Sequence, residues 1–185
     1  MGPFVASSKV SPEEYAAWRK DVQTYVTRHT SHLTALFGKT LLHQARQARF
    51  SAGGDSKLKE ISPMHPAFLA MAIGIDYSAT LHRDSPKPRS RFGGDERGTF
   101  GCVTYYGHEE SEQRFVFPEV GDSVVMRPGD SIVFDSSFLH CMEEASPDEL
   151  SRRGDITSVV ESRYQKTSAL KHLASHDALQ PDAPH

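Results

Sequence analysis

The sequence predicts a β-rich α+β fold, an antiparallel β-sandwich or jelly roll with helices at its N-terminal end. From residue 73 onward, short apolar segments alternate with period 2 and are separated by turn residues. Before that point, apolar residues recur at helical spacing. Helices followed by short strands are typical of an antiparallel sheet with helices on one side. We expect a single domain with a helical segment over residues 1–70, a β core over 71–164 and a polar tail over 165–185.

The composition predicts a soluble intracellular protein. Of its 185 residues, 37% are hydrophobic, which is enough for a modest core. A net charge of -3 excludes the strongly basic balance of a general nucleic-acid binder. Cys102 and Cys141 lie in apolar stretches, which argues against a disulfide scaffold. No secretory signal or membrane span is recognisable, so we expect a cytoplasmic or nuclear location, with the oligomeric state left open.

Helical signals are concentrated near the N-terminus. Ser11 can cap a helix, with Pro12 at its first position and Glu14 completing a capping box. An apolar stripe follows at helical spacing and is expected to pack on the sheet. Its members are Tyr15, Trp18, Val22, Tyr25 and Val26. A second helical stretch over residues 33–37 is expected to stop at Gly38, and residues 65–70 predict a further short helix. His29 and His32 are expected on the helix surface.

The strands are predicted from alternation and from turn residues. Alternating residues over 73–81 predict one strand that delivers His82 at its end. Later strands are predicted over residues 100–106, 114–120, 131–134 and 156–164. A turn at Pro128-Gly129-Asp130 precedes the third of these, and a short link then reaches His140.

His82-Arg83-Asp84 and His140, which lies 58 residues after His82, form the candidate metal site. Two imidazoles and one carboxylate can hold Fe(II) and leave positions open for a chelating acid and dioxygen. Ligands two residues apart point to the same side of an extended chain, and His140 can approach from a neighbouring strand.

In the order of its motifs, the chain resembles the Fe(II)- and 2-oxoglutarate-dependent dioxygenases of the double-stranded β-helix superfamily. The matching segments are His82-Arg83-Asp84, Pro128-Gly129-Asp130, Ile132-Val133-Phe134 and His140, within residues 70–164. Residues 121–140 look most like the TET/JBP group, which oxidises methyl groups of pyrimidine bases in nucleic acid. The resemblance implies a double-stranded β-helix in which these three ligands are catalytic and hold Fe(II), with 2-oxoglutarate as cosubstrate.

The resemblance also implies a basic residue after the distal histidine, which pairs with the far carboxylate of 2-oxoglutarate. A guanidinium suits that carboxylate because it can donate two parallel hydrogen bonds. Arg153 is the favoured candidate, and Arg152 and Arg163 are the alternatives. The chain departs from the family pattern here, because Ile156 takes the arginine position if the last strand aligns through residues 157–158.

Further candidate contacts flank the first ligands. The Tyr77 hydroxyl can contact the cosubstrate, although simple packing is equally consistent. A basic loop can hold nucleic-acid phosphates, and Phe92 can stack on an extracted base. Its cations are Arg83, Lys87, Arg89, Arg91 and Arg97. A solvated loop fits the same residues. The alternatives are therefore a small-molecule or protein-side-chain hydroxylase, or a noncatalytic β-sandwich binding module.

Overall fold

The chain forms a long N-terminal helix, a short second helix and two four-stranded antiparallel sheets. The computed structural model describes residues 11–61, 66–75, 78–84, 98–107, 111–143, 148, 151, 158–165, 170–171 and 174. The helices are α1 (Pro12–Ser51) and α2 (Asp55–Ile61). The strands are β1 (Ala70–Ile75), β2 (Ala79–His82), β3 (Phe100–Tyr106), β4 (Gln113–Phe117), β5 (Asp122–Met126), β6 (Ser131–Asp135), β7 (His140–Met142) and β8 (Val159–Tyr164). Two antiparallel sheets preceded by helices confirm the predicted β-rich class.

The two sheets pack face to face around one apolar core. The strand order is β1-β8-β3-β6 in the first sheet and β2-β7-β4-β5 in the second. Both sheets contribute inward side chains to the core, as two-layer packing requires. The core residues are Val103, Tyr105, Phe115, Phe117, Met126, Phe134, Met142 and Val160.

The strand predictions are confirmed in part. Strand β3 covers the predicted residues 100–106, whereas β4 ends at Phe117, immediately before a turn that contains Pro118. The prediction of one strand over residues 73–81 is wrong, because β1 and β2 belong to different sheets. His140 itself begins a short strand, β7, that the sequence did not indicate.

Helix α1 begins as predicted and continues further than predicted. The Ser11 hydroxyl accepts from the Glu14 amide at 3.1 Å, and the Ser11 amide donates to the Glu14 carboxylate at 2.9 Å. The interruption predicted at Gly38 is present as a kink at Phe37, whose φ and ψ are non-helical, and the helix continues beyond it to Ser51. Buried residues recur at helical spacing beyond the kink and account for this. They are Leu41, Gln44, Ala45 and Ala48. Within the described ranges, no helix has the length and apolar character needed to cross a bilayer.

The segment before β1 is extended, so the predicted short helix over residues 65–70 is wrong in its described part. Residues 66–67 form a turn, and Phe68 and Leu69 lead directly into β1. Phe68 packs with Leu33 and Leu41 of α1, whereas Leu69 packs with Leu58 of α2 and other residues. Consecutive side chains that enter different clusters require an extended backbone.

Gln44 joins α1 to the sheet through three hydrogen bonds. Its amide nitrogen donates to the Ala67 carbonyl at 2.8 Å and to the Phe100 carbonyl at 3.1 Å. Its amide oxygen accepts from the Phe100 amide at 2.5 Å. The side chain is fully buried, so these bonds satisfy backbone groups where water is excluded.

We expect Gln44→Leu to lower the free energy of unfolding by about 1–3 kcal/mol, because it removes partners from buried backbone groups. Urea denaturation of the metal-free protein measures the change. The exposed Arg46 on the same helix offers a control, and Arg46→Leu should change stability little. Equal stability of the two variants would contradict the role given to Gln44.

A polar cluster fills the interface between α1 and the outer face of the first sheet. Tyr25 and His29 come from α1, and the Tyr25 hydroxyl contacts that of Tyr106 on β3. His29 Nε2 lies 3.3 Å from the Ser131 hydroxyl, so the expectation that His29 is a surface residue is wrong. Burial, followed by the positive charge of Arg163, lowers the pKa of His29 below its usual value.

The lowered pKa of His29 predicts a loss of stability in mild acid. The unfolded chain binds this proton more readily than the folded chain, so stability falls as the pH drops below the ordinary value of about 6.5. We expect His29→Gln to flatten the dependence of Tm on pH between about pH 7 and 5. The exposed His32 provides the control variant His32→Gln, and an identical pH profile for the two variants would contradict this assignment.

Candidate metal centre

The pairing of β2 with β7 brings the two candidate histidines together. These strands are neighbours in the second sheet, and His82 lies directly opposite His140. The centroids of the two imidazole rings are 4.5 Å apart. One cross-strand pair therefore places these two residues side by side, although they are far apart in the chain.

An irregularity in β2 orients His82. Ala79 pairs with Met142 and His82 pairs with His140, so three residue steps on β2 match two steps on β7. Regular alternation would place residues 79 and 82 on opposite faces, and an extra residue of this kind re-aims the next side chain. Ala79 and His82 consequently border the same cavity. Leu81, which the predicted alternation placed with Ala79, is half exposed.

Asp84 completes the site from the segment that follows β2. Its Oδ1 lies 3.4 Å from His82 Nε2, and its Oδ2 lies 3.4 Å from His140 Nε2. The Asp84 amide donates to the Ser136 carbonyl at 3.1 Å, which holds this segment beside the turn after β6. One donor atom from each of the three residues lies within 4.8 Å of the other two. The His82, Asp84 and His140 group can therefore hold a metal ion.

Hydrogen bonds to the backbone set the orientation of both imidazoles. His82 Nδ1 donates to the Thr80 carbonyl at 2.6 Å, and His140 Nδ1 donates to the Phe138 carbonyl at 2.8 Å. A proton on Nδ1 leaves the Nε2 lone pair directed at the site, which is the arrangement that metal-ligating histidines require. Two nitrogens and a carboxylate in this arrangement fit a divalent transition metal such as iron.

An aromatic wall surrounds His140, whose exposed fraction is 3%. The Phe115 ring stacks on the imidazole at 5.4 Å, and Phe134 approaches its edge at 4.8 Å between centroids. The triad opens into a cavity of about 320 Å³ between the sheets, which Phe115 and Phe134 also border. Pockets of this size hold small organic molecules.

Arg163 does not direct its guanidinium toward the triad. The residue borders the cavity, but on β8 it lies three positions from Val160, which belongs to the core between the sheets. Alternation therefore places its side chain on the opposite face. There its Nε donates a hydrogen bond to the Glu161 carboxylate, and its Cζ lies 5.3 Å from the centroid of the Tyr25 ring. The role of Arg163 as a cosubstrate anchor stays a prediction, and in this structure its charge is paired with Glu161 beside α1.

Arg83 is the one predicted substrate contact within the described residues. It forms an ion pair with Glu119 and donates to the Ser137 carbonyl. Its role as a phosphate contact stays a prediction. Several other predicted residues lie outside the described part of the chain: Tyr77, Lys87, Arg89, Arg91, Phe92, Arg97, Arg152 and Arg153.

Four residues in or beside the site were not predicted from the sequence. They are Glu119, Phe115, Ser162 and Tyr164, of which the last three border the cavity. Ser162 and Tyr164 follow Val160 at intervals of two residues, so the alternation of β8 contained the signal. The partners of Glu119 lie on two distant segments, and no local pattern indicates them.

No family model matches the chain, and no curated protein matches it.

We expect the triad to bind Mn(II). The variants His82→Ala, Asp84→Ala and His140→Ala should each weaken Mn(II) affinity by more than about 100-fold, because loss of a residue that only supports a ligand already lowers metal affinity by about 10- to 100-fold. Isothermal titration calorimetry measures the affinity. His43→Ala removes an exposed imidazole from α1 and should leave the affinity unchanged. Wild-type affinity in all three triad variants would contradict the site.

Proposed function

We propose that this chain is an Fe(II)- and 2-oxoglutarate-dependent oxygenase with the double-stranded β-helix fold, which hydroxylates a substrate C–H bond. The observation that carries the proposal is the triad geometry: two imidazoles with Nε2 directed inward and one carboxylate meet at a cavity. This ligand set is the 2-His-1-carboxylate arrangement of non-haem iron oxygenases.

The strand topology supports the same class. Each sheet interleaves strands from distant parts of the chain, in the orders β1-β8-β3-β6 and β2-β7-β4-β5. Eight antiparallel strands in two sheets are typical of a jelly roll, the architecture to which the double-stranded β-helix belongs. The motifs depend on residue types, whereas the strand order depends on which strands pair, so each supports the proposed class separately.

In the proposed reaction, His82, Asp84 and His140 would hold iron, and a set of three protein ligands would leave coordination positions for the cosubstrate and dioxygen. When bound, iron supplies dioxygen activation, with 2-oxoglutarate and dioxygen converted to succinate and carbon dioxide as the substrate gains one oxygen atom. The protein orients the reactants and excludes water. Phe115 and Phe134 shield the buried His140 from solvent. Ser162 and Tyr164 border the cavity, and a hydroxyl group can donate a hydrogen bond to an anion.

The far carboxylate of 2-oxoglutarate needs a cation. Arg163 is the one arginine or lysine among the described residues that border the cavity, and its guanidinium faces α1. We therefore retain Arg153 as the proposed partner, with Arg152 as the alternative.

We propose the methyl group of a pyrimidine base in nucleic acid as the first substrate class, on the resemblance to the TET/JBP group. A small molecule and a protein side chain are the other classes with the same iron chemistry. Succinate release in the presence of methylated DNA, methylated RNA or free metabolites separates them. A noncatalytic binding module would bind no Fe(II) under anaerobic conditions.

We expect Fe(II)-dependent succinate release from the wild-type protein and none from His140→Ala. Arg153→Gln should raise the KM for 2-oxoglutarate about tenfold or more, because a charge-assisted hydrogen bond contributes about 1.5–3 kcal/mol. Arg114 pairs with Glu143, and Arg114→Gln serves as the control that should keep the wild-type KM. An unchanged KM in Arg153→Gln would refute the assignment of Arg153, and absence of succinate with every substrate class would refute the oxygenase.

A further inference from the structure

An ion pair outside the triad joins the segments that carry its ligands. Arg83 stands between His82 and Asp84, and Glu119 stands in the turn between β4 and β5. Both terminal nitrogens of Arg83 bond the Glu119 carboxylate, Nη1 to Oε2 at 2.8 Å and Nη2 to Oε1. A bidentate pair of this kind fixes orientation as well as distance.

Both members of the pair also hold the link that leads into His140. Arg83 Nη1 donates to the Ser137 carbonyl at 2.5 Å. Glu119 Oε2 accepts from the Leu139 amide at 2.7 Å. Three segments therefore meet at one ion pair: the end of β2, the β4–β5 turn and the link between β6 and β7.

We propose that the Arg83–Glu119 pair is a positioning clamp that holds the His82–Asp84 segment against the link to His140, so that the three ligands are in place before a metal binds. For its effect on metal affinity the inference rests on the proposed function. The ordering of the two segments is a property of the metal-free chain and is measurable by itself.

The clamp differs from the other exposed ion pairs in what it connects. Arg127 and Glu112 approach each other at 3.1 Å through one nitrogen, far from the ligand segments in the chain. Exposed pairs of that kind contribute little to stability. Glu119 instead receives a bidentate guanidinium and a backbone amide, and the Arg83 bond, followed by the Leu139 amide, lowers the pKa of Glu119. The carboxylate therefore stays charged over the neutral range.

The amide of Asp84 is a suitable reporter of segment order. It donates to the Ser136 carbonyl, an acceptor that belongs to neither residue of the clamp. In the metal-free protein, we expect Glu119→Ala and Arg83→Ala each to accelerate hydrogen exchange at this amide about fivefold, as expected for loss of one surface-level interaction. The double variant should accelerate exchange by less than the product of the two single effects, because both variants remove the shared ion pair while each also removes its own bond to the link.

The second readout is the dissociation constant for Mn(II). We expect it to rise about tenfold in Glu119→Ala, the lower end of the range for residues that support metal ligands. Arg83→Lys keeps the charge but cannot make the bidentate contact, so its effect should be intermediate. Arg127→Ala is the matched control and should behave as the wild type in both measurements.

The outcomes separate the clamp from the proposed function. Accelerated exchange at Asp84 supports the clamp even if the wild-type protein binds no Mn(II), and that second result would count against the metal site alone. If Glu119→Ala matches Arg127→Ala in exchange and in Mn(II) affinity, the clamp is overturned. A lower Tm with unchanged exchange at Asp84 and unchanged affinity also overturns it, because the pair would then stabilise the fold without positioning the ligands.

Discussion

Antiparallel pairing between β2 and β7 is the constraint on which the candidate site depends. His82 and His140 are 58 residues apart in the chain and directly opposite each other in the sheet. Closing a connection of that length has an entropic cost, which the four intervening strands offset by forming half of the two sheets. The irregular register of β2 then turns His82 toward the cavity. The pairing of β2 with β7 thus brings the two histidines of the triad together.

Strand β8 serves two interfaces with its two faces. Val160, Ser162 and Tyr164 alternate toward the cavity between the sheets. Glu161 and Arg163 alternate toward α1, where both are buried. A buried ion pair carries a large desolvation cost unless its partners are well placed, and the Tyr25 ring of α1 lies over the Arg163 guanidinium of this pair. The same strand therefore links the position of the helix to the shape of the cavity.

The sequence predicted the parts of the structure that depend on local pattern. Alternation identified β3 in full, and the Ser11 capping box identified the start of α1. The triad could be predicted because two histidines and an aspartate in this order suit metal ligation. Local pattern failed where tertiary contacts decide: α1 continues past Gly38 because Leu41 and Gln44 are buried against the sheet. Arg163 was an alternative anion partner because it is a basic residue that follows His140 in the chain, whereas the strand face, which spacing alone does not give, directs its side chain to Glu161.

The position of β2 at the edge of its sheet has a thermodynamic consequence. In the order β2-β7-β4-β5, β2 pairs with β7 alone among the described strands. Edge strands separate from a sheet more readily than central ones, and this strand carries His82. An ion shared by His82 and His140 would join the edge strand to its neighbour, so binding and strand docking would be linked equilibria. By mass action, the free energy that holds β2 in the sheet then rises with the logarithm of the free metal concentration, as for any ligand that binds the folded state alone.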